Sequence, residues 1–300
     1  MFLPPVSTRS RAMDRSNAQW IFPLPVTAFR PRRRGFNRML GAGLAACILG
    51  GLARPARAQG VHLDVPYVPT PHEVVEAMLE LAGVQPGERV TDLGCGDGRM
   101  VVTAASQFGA HGLGVDIDPE RIREARANAA EAGVADKVEF RVGDLFEVDL
   151  RDTDVLAIYL LEEINLRLRP VILAQMRPGA RVVSHAFSMG PWRPDREELI
   201  LGRRVFLWTV PAQAGGRWRA RHNGREFTLT LEQDYQILGG SAAFGPRSAE
   251  VRDGRVSGSE VAFTLEVVPG SPELLRGRID GERIVALDGG AVWSAERLAR

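Results

Sequence analysis

Three glycines at alternate positions follow a short apolar run, in the stretch DLGCGDG at residues 92–98. Gly94, Gly96 and Gly98 have no Cβ, so they can adopt left-handed backbone angles and let a ligand approach the main chain closely. Asp92 stands two residues before the first of these glycines. A carboxylate beside such a loop suits a cationic ligand better than a polyanionic one, because opposite charges attract. We therefore expect a nucleotide-like ligand that carries a positive charge.

Two further carboxylates follow the next two predicted strands. Asp116 comes about 20 residues after the glycines, where an acidic residue can accept hydrogen bonds from ribose hydroxyls. Asp144 follows the third strand, in VGDLF. The carboxyl ends of parallel strands share one edge of a sheet, so we expect Asp92, Asp116 and Asp144 to lie together. The structural alternatives are a helix cap for Asp97 and a solvated loop for Asp144, and Asp118 is expected to cap the next helix.

Strands and helices alternate over residues 59–211, which predicts a doubly wound, Rossmann-like α/β sheet with parallel strands. The predicted strands cover 90–93, 111–118, 137–142, 154–160 and 180–187, and the predicted helices cover 98–108, 119–133 and 162–176. Residues 212–300 instead alternate with period two, which predicts a small antiparallel β-domain, a meander or a barrel. Asn223-Gly224 predicts a tight hairpin, and GRVSGSEVAF (254–263) is echoed by GRIDGERIVA (277–286). Its expected core residues are Trp208, Trp218, Phe227 and Tyr235, although such an aromatic cluster fits the lining of a ligand mouth equally well.

The first 58 residues read as an export signal. A basic cluster precedes an apolar run from Met39 to Ala53, and a small-residue cleavage site ends at Ala58. Arg33-Arg34 resembles the twin-arginine signal, so we expect an exported or periplasmic protein that touches the membrane only through an uncleaved signal. The alternatives are a short membrane anchor, or a misassigned start and a cytoplasmic protein. A net charge of +1 gives no electrostatic reason to expect a nucleic-acid partner. No cluster of Cys and His in the sequence indicates a metal site.

The stretch DLGCGDG resembles motif I of the class I S-adenosyl-L-methionine-dependent methyltransferases. Residues 65–79, IYLL at 158–161 and residues 181–195 are similar to protein-lysine methyltransferases related to the ATP-synthase c-subunit lysine methyltransferase, and to bacterial relatives with a trailing β-region. The resemblance implies S-adenosyl-L-methionine as the cofactor. It also implies that Asp144 binds the adenine amine, that Leu145 flanks the ring, and that Tyr67 and Thr70 lie on the cofactor side.

The end of the fourth predicted strand offers the catalytic candidates Tyr159 and Glu162. A methyl-accepting lysine must arrive neutral, which favours an aromatic, low-dielectric wall or a nearby carboxylate. The Asn/Asp-Pro-Pro-aromatic motif of many base- and glutamine-directed enzymes is missing from this place in the sequence. Glu162 fits equally well as an acidic residue at a helix N-terminus. His185 is expected to be a hydrogen-bonded wall residue rather than a base, and Trp192 either lines the mouth or packs the loop.

Two other functions compete with a methyltransferase that acts on a protein lysine. A nicotinamide-dependent dehydrogenase is disfavoured, because Arg99 occupies the place of the small third residue of its loop. An exported, non-enzymatic binding protein with a degenerate nucleotide fold is the stronger alternative. Export supports it, because S-adenosylmethionine is made in the cytoplasm.

Overall fold

The computed structural model describes residues 68–287 and 293–299, all of which belong to one compact unit, Ala58–Arg300. The predicted export signal, residues 1–58, and the cofactor candidate Tyr67 lie outside the described residues. Among the described residues, no helix is long and apolar enough to cross a membrane.

The first sheet has seven strands in the order β3-β2-β1-β4-β5-β7-β6, and β1 to β5 pair in parallel. Its strands are β1 Arg89–Leu93, β2 His111–Asp116, β3 Val138–Val142, β4 Val155–Ile158, β5 Arg181–His185, β6 Arg196–Ile200 and β7 Arg203–Thr209. The helices are α1 His72–Leu81, α2 Arg99–Phe108, α3 Pro119–Glu131 and α4 Glu162–Gln175. As predicted, Asp118 caps α3 by accepting a hydrogen bond from the Glu120 amide at 2.9 Å.

The sheet is mixed rather than wholly parallel, which corrects the sequence prediction. β7 pairs antiparallel with both β5 and β6. The two added strands are joined by a turn in which Leu201 and Gly202 have φ of 50° and 76°. Two consecutive left-handed residues make a tight hairpin without an intervening helix, so the direction of the chain reverses at this edge.

Alternate residues of the strands face two separate apolar clusters, because side chains along a strand point to opposite faces. Val155 and Ala157 pack in the cluster that holds α1, α2 and α3. Leu156 and Ile158 pack in the cluster that holds α4. The carboxyl end of the sheet is therefore held rigidly between helices on both faces.

The second sheet is entirely antiparallel and closes into a barrel, because β9 pairs with β10 and β16 pairs with β8. The predicted Asn223-Gly224 hairpin is confirmed, with φ of 47° and 78° at the two turn residues. Both echoed segments also form hairpins, turning at 258–259 and 281–282. The strands are β8 Gly216–His222, β9 Arg225–Asp234, β10 Ile237–Phe244, β11 Arg247–Glu250, β12 Arg252–Ser257, β13 Glu260–Val268, β14 Ser271–Asp280, β15 Arg283–Ala286 and β16 Trp293–Arg297.

Two of the four predicted core residues of this barrel are buried inside it, and two are not. Trp218 and Phe227 lie in the barrel core. Trp208 belongs to β7 and Tyr235 to the β9–β10 turn, and both pack on the α4 face of the first sheet. The prediction was wrong for Trp208 because alternation along a strand does not say which of two adjoining sheets the strand joins. It was wrong for Tyr235 because this residue lies in a turn, where alternation does not apply.

Candidate active site

The glycine loop after β1 has a left-handed backbone at each predicted position. Gly94, Gly96 and Gly98 have φ of 77°, 52° and 78°. A Cβ built on Gly98 would lie 2.7 Å from the Phe140 ring and 2.8 Å from the Ala125 Cβ. The loop therefore needs glycine both for its backbone angles and for its close approach to α3 and β3.

Asp116, at the end of β2, fastens the glycine loop to the neighbouring strand. Its Oδ2 accepts a hydrogen bond from the Gly96 amide at 2.8 Å, and its Oδ1 accepts one from the Asp118 amide at 2.9 Å. Each carboxylate oxygen keeps a second lone pair for a ligand. The carboxylate is thus oriented by the backbone before any ligand arrives.

A cavity of about 280 Å³ opens at the carboxyl edge of the sheet. It brings together most of the residues that the sequence singled out, although Gly96 and Gly98 shape the loop without lining the cavity, and Glu162 does not line it. In the described part of the chain, no group of three or more His, Cys, Asp or Glu residues is placed to hold a metal ion. The predicted residues that line the cavity are Thr70, Asp92, Gly94, Asp116, Asp144, Leu145 and Tyr159.

Asp92 carries the strongest electrostatic signal in this cavity. Its residue is only 7% exposed, and burial raises the pKa of its carboxyl to about 8, with Asp116 and Asp97 adding repulsion. A cation beside Asp92 would favour the charged carboxylate and lower that pKa again. Cys95 also lines the cavity, but burial raises the pKa of its thiol, so the thiol stays protonated. The cavity floor is therefore suited to an ammonium or sulfonium group.

Tyr159 and Phe187 also line the cavity and form a cluster of rings with His185. The Tyr159 ring centroid lies 3.9 Å from that of His185 and 6.2 Å from that of Phe187. His185 is buried, and its Nδ1 is hydrogen-bonded to Thr70 Oγ1 at 3.0 Å. Burial, with a contribution from Arg203, lowers the pKa of His185 to about 4, so the ring is neutral at physiological pH. As expected from the sequence, His185 is hydrogen-bonded, and it packs against the Tyr159 ring without lining the cavity itself.

Glu162 and Trp192 lie outside the cavity lining. Glu162 is the exposed first residue of α4, and its Oε1 accepts a hydrogen bond from Ser188 Oγ at 2.7 Å. Trp192 is completely buried and packs against Trp208, so it packs the loop rather than lining the mouth. Asp144 caps a short 3-10 turn, since its Oδ1 accepts a hydrogen bond from the Phe146 amide at 2.9 Å.

Sequence reasoning missed two features of the site. Phe187 lines the cavity, and Ala186 before it has φ of 65°, with a Phe187 amide to His185 carbonyl bond at 2.8 Å closing a tight turn. Arg99 donates to the Thr70 carbonyl at 2.7 Å and pairs with Asp97 at 2.6 Å, which fixes the segment at residues 68–70. An aromatic residue two positions past a strand end was the available signal for Phe187. No local pattern predicted that Arg99 would bind the Thr70 carbonyl.

Comparison with known proteins identifies relatives of this chain. Residues 92–196 match the family model of the ANTKMT methyltransferase domain. A protein-lysine N-methyltransferase from Saccharolobus islandicus (strain REY15A) is 42% identical over 151 residues, which cover 49% of this chain and 94% of that protein. Adenine nucleotide translocase lysine N-methyltransferase from Mus musculus is 35% identical over 176 residues, which cover 56% of this chain and 76% of that protein. The structure of an RNA methyltransferase from Salinibacter ruber in complex with S-adenosyl-L-homocysteine is 52% identical, covers 49% of this chain and 95% of that one, and has a TM-score of 0.48.

The chain belongs to the class I S-adenosyl-L-methionine-dependent methyltransferases, in the family that contains these archaeal and mouse enzymes. It is therefore a methyltransferase whose cofactor is S-adenosyl-L-methionine, and the predicted resemblance is confirmed. The comparisons offer no support for the alternative of a non-enzymatic binding protein.

Proposed function

We propose that this methyltransferase modifies the ε-amino group of a lysine in a protein. The observation that carries the proposal is the ring wall of the cavity, formed by Tyr159 and Phe187 with a neutral His185 behind them. Such a wall lowers the local dielectric and favours the neutral amine that methyl transfer requires. The two lysine methyltransferases that this chain resembles support the same acceptor.

We infer that the acidic floor of the cavity holds the cofactor, which supplies an electrophilic methyl group on a positively charged sulfur. The acidic lining and the glycine loop fit such a ligand, since a cation beside Asp92 favours its charged form and offsets the burial that raises its pKa. Asp116 would accept the ribose hydroxyls and Asp144 the adenine amine, with Leu145 against the ring. Thr70 and Tyr67 would lie on the same side, where Arg99 fixes the Thr70 backbone.

The acceptor side is assigned to the ring wall and to Glu162. Tyr159 would contact the amine and exclude water from it, and Phe187 would confine the lysine side chain. Glu162 is exposed at the start of α4 next to Leu161, which lines the cavity. A carboxylate there attracts a protonated lysine from solvent, so its role in this proposal is steering rather than proton transfer.

Tritium-labelled cofactor, incubated with unfractionated cell protein and the purified enzyme, tests the acceptor. Acid hydrolysis followed by amino-acid analysis should recover the label in methylated lysine. The Asp116→Asn variant is the matched control, because it keeps the side-chain volume but removes the charge. Label recovered in another amino acid, or in nucleic acid, would refute the lysine assignment while leaving methyl transfer intact.

We also propose the chain organisation that the sequence predicts: an export signal at 1–58, a doubly wound methyltransferase domain at 59–211 and a β-domain at 212–300. The Arg33-Arg34 pair and the cleavage site at Ala58 support a twin-arginine route to the periplasm. Mass spectrometry of the native protein should find an N-terminus near Gln59. An intact start in a cytosolic fraction would argue for a cytoplasmic enzyme with a misassigned start.

A further inference from the structure

One turn of the barrel packs against the first sheet through an unusual residue. β9 and β10 are joined by a two-residue turn in which Tyr235 has φ of 53°. Tight turns place Gly or Asn at such left-handed positions, because a bulky side chain is strained there. A tyrosine that holds this conformation needs compensating contacts elsewhere.

Two contacts of the Tyr235 ring lie on the methyltransferase side. The Tyr235 ring stacks on Trp192, with centroids 6.1 Å apart and planes at 13°, and the Arg169 guanidinium lies 5.6 Å from the Tyr235 ring centroid. The next residue, Gln236, is buried and donates from Nε2 to the Arg193 carbonyl at 2.6 Å. The turn therefore contacts residues 192 and 193 through two consecutive side chains, those of Tyr235 and Gln236.

Residues 192 and 193 belong to the loop at residues 186–195, between β5 and β6. Near its start, this loop carries Phe187, which lines the cavity. Arg169, which faces Tyr235, also donates to the Met189 carbonyl at 2.8 Å. The buried Asn165, one turn earlier in α4, donates to the carbonyls of Phe187 and Ser188 at 3.3 and 3.2 Å. A continuous path of packed and hydrogen-bonded groups thus runs from the barrel turn to the ring wall of the cavity.

We propose that Tyr235 is a positioning residue for the acceptor side of the active site: through Trp192 and Arg169, it holds the 186–195 loop so that Phe187 stays stacked beside Tyr159. The barrel then contributes to acceptor use without contacting the acceptor. This inference rests on the proposed function only in assigning Phe187 to the acceptor side. The glycine loop and Asp116 share none of these contacts, so cofactor affinity is unaffected.

Tyr235→Gly is the informative variant, because it removes the ring and relieves the left-handed strain of the turn. Asn223→Gly is its matched control, since it changes another left-handed residue in the preceding barrel turn, where both turn residues are exposed. Consecutive turns of an up-and-down barrel lie at opposite ends, so the control leaves the interface intact. Tyr235→Phe keeps the ring and should restore wild-type behaviour.

Three measurements define the outcome. In Tyr235→Gly, amide hydrogen exchange should accelerate at residues 187–193 and stay unchanged in the glycine loop. Calorimetry should find an unchanged dissociation constant for the cofactor. The concentration of unfractionated cell protein that half-saturates methyl transfer should rise on the order of 10-fold, less than the roughly 100-fold loss from a 1 Å misplacement of reacting groups.

Unchanged exchange at residues 187–193, or faster exchange with unchanged acceptor use, would overturn the inference. So would equal effects in Asn223→Gly and Tyr235→Gly, because a general loss of barrel stability would then explain both. Label that appears on an amino acid other than lysine would contradict the proposed function. The comparison between Tyr235→Gly and Asn223→Gly would still test the role of Tyr235. If the wild type transfers no label, the proposed function fails, and the exchange measurement alone decides the inference.

Discussion

At the floor of the cavity the glycine loop and Asp116 are joined directly, because the Gly96 amide donates a hydrogen bond to the Asp116 side chain. The ring wall instead depends on a loop that other parts of the molecule hold in place. Tyr159, His185 and Phe187 come from two strand ends, and the loop that carries Phe187 is held by α4 and by the barrel. The glycine loop should tolerate few substitutions, because its backbone angles and close contacts require glycine. The position of Phe187 should instead change with substitutions at distant residues, because packing holds its loop.

The largest effect is expected at Gly98, where backbone and packing both require glycine. Gly98→Ala places a Cβ against Phe140 and Ala125 in a left-handed conformation, and should lower the free energy of unfolding by about 2–5 kcal/mol. Urea unfolding measures the change. Gly133→Ala is the control, because Gly133 has φ of 69° with no atom within 4 Å of a built Cβ. Equal losses in the two variants would show that the close approach at Gly98 adds nothing.

We expect the buried Asp92 carboxyl to lower the stability of the cofactor-free protein at high pH and to strengthen cofactor binding. Its pKa is about 8 when folded and 3.8 as a free side chain, so between these pH values the folded protein keeps a proton that the unfolded chain releases. The free energy of unfolding should therefore fall as pH rises from about 4 to about 8. Asp92→Asn removes that fall and should be more stable at pH 8 by several kcal/mol, since each pKa unit corresponds to about 1.4 kcal/mol, while binding the cofactor more weakly.

Denaturant titrations of the cofactor-free protein at pH 5 and pH 8 provide the measurement. A wild type and an Asp92→Asn variant with the same pH dependence would contradict the burial of a protonated carboxyl at the floor of the cavity.

Asp116→Ala should weaken cofactor binding by about 1.5–3 kcal/mol, because two backbone amides lose their acceptor together with the proposed ribose contacts. Isothermal titration calorimetry with S-adenosyl-L-methionine reports this loss. The Asp118→Ala variant removes the cap of α3 and the ion pair with Arg121 but keeps the backbone amide that donates to Asp116, so it should lose less cofactor affinity than Asp116→Ala. Unchanged cofactor affinity in Asp116→Ala would show that Asp116 is not the main polar contact of the cofactor.

The smallest effect is expected at the ion pair that joins the barrel to the first sheet. Arg255 and Asp195 are partly exposed, so Arg255→Ala should cost at most about 1 kcal/mol of stability. Asp195→Ala should cost more, since Asp195 Oδ2 also accepts a hydrogen bond from the Thr209 amide at 2.6 Å. Thermal unfolding of the two variants distinguishes them, and a larger loss for Arg255→Ala would reverse the expected order.

The same contrast explains what the sequence could predict. The loop at residues 92–98 and the acids after β2 and β3 are local signals, because the sheet brings successive strand ends to one edge. For Phe187 the one local signal is an aromatic residue just past a strand end, and Tyr235 has none, since the positions of both depend on α4 and on packing between the two sheets. β6 and β7 were also missed: β6 is an exposed edge strand, and the apolar run of β7 directly precedes the barrel strands.

The most direct test of a single cavity shared by cofactor and acceptor is a crystal structure with S-adenosyl-L-homocysteine bound. We predict the ribose hydroxyls at Asp116, the adenine beside Asp144 and Leu145, and the amino-acid end near Asp92, with the sulfur facing Tyr159 and Phe187. A ligand bound elsewhere, or one whose sulfur faces away from the ring wall, would contradict the account.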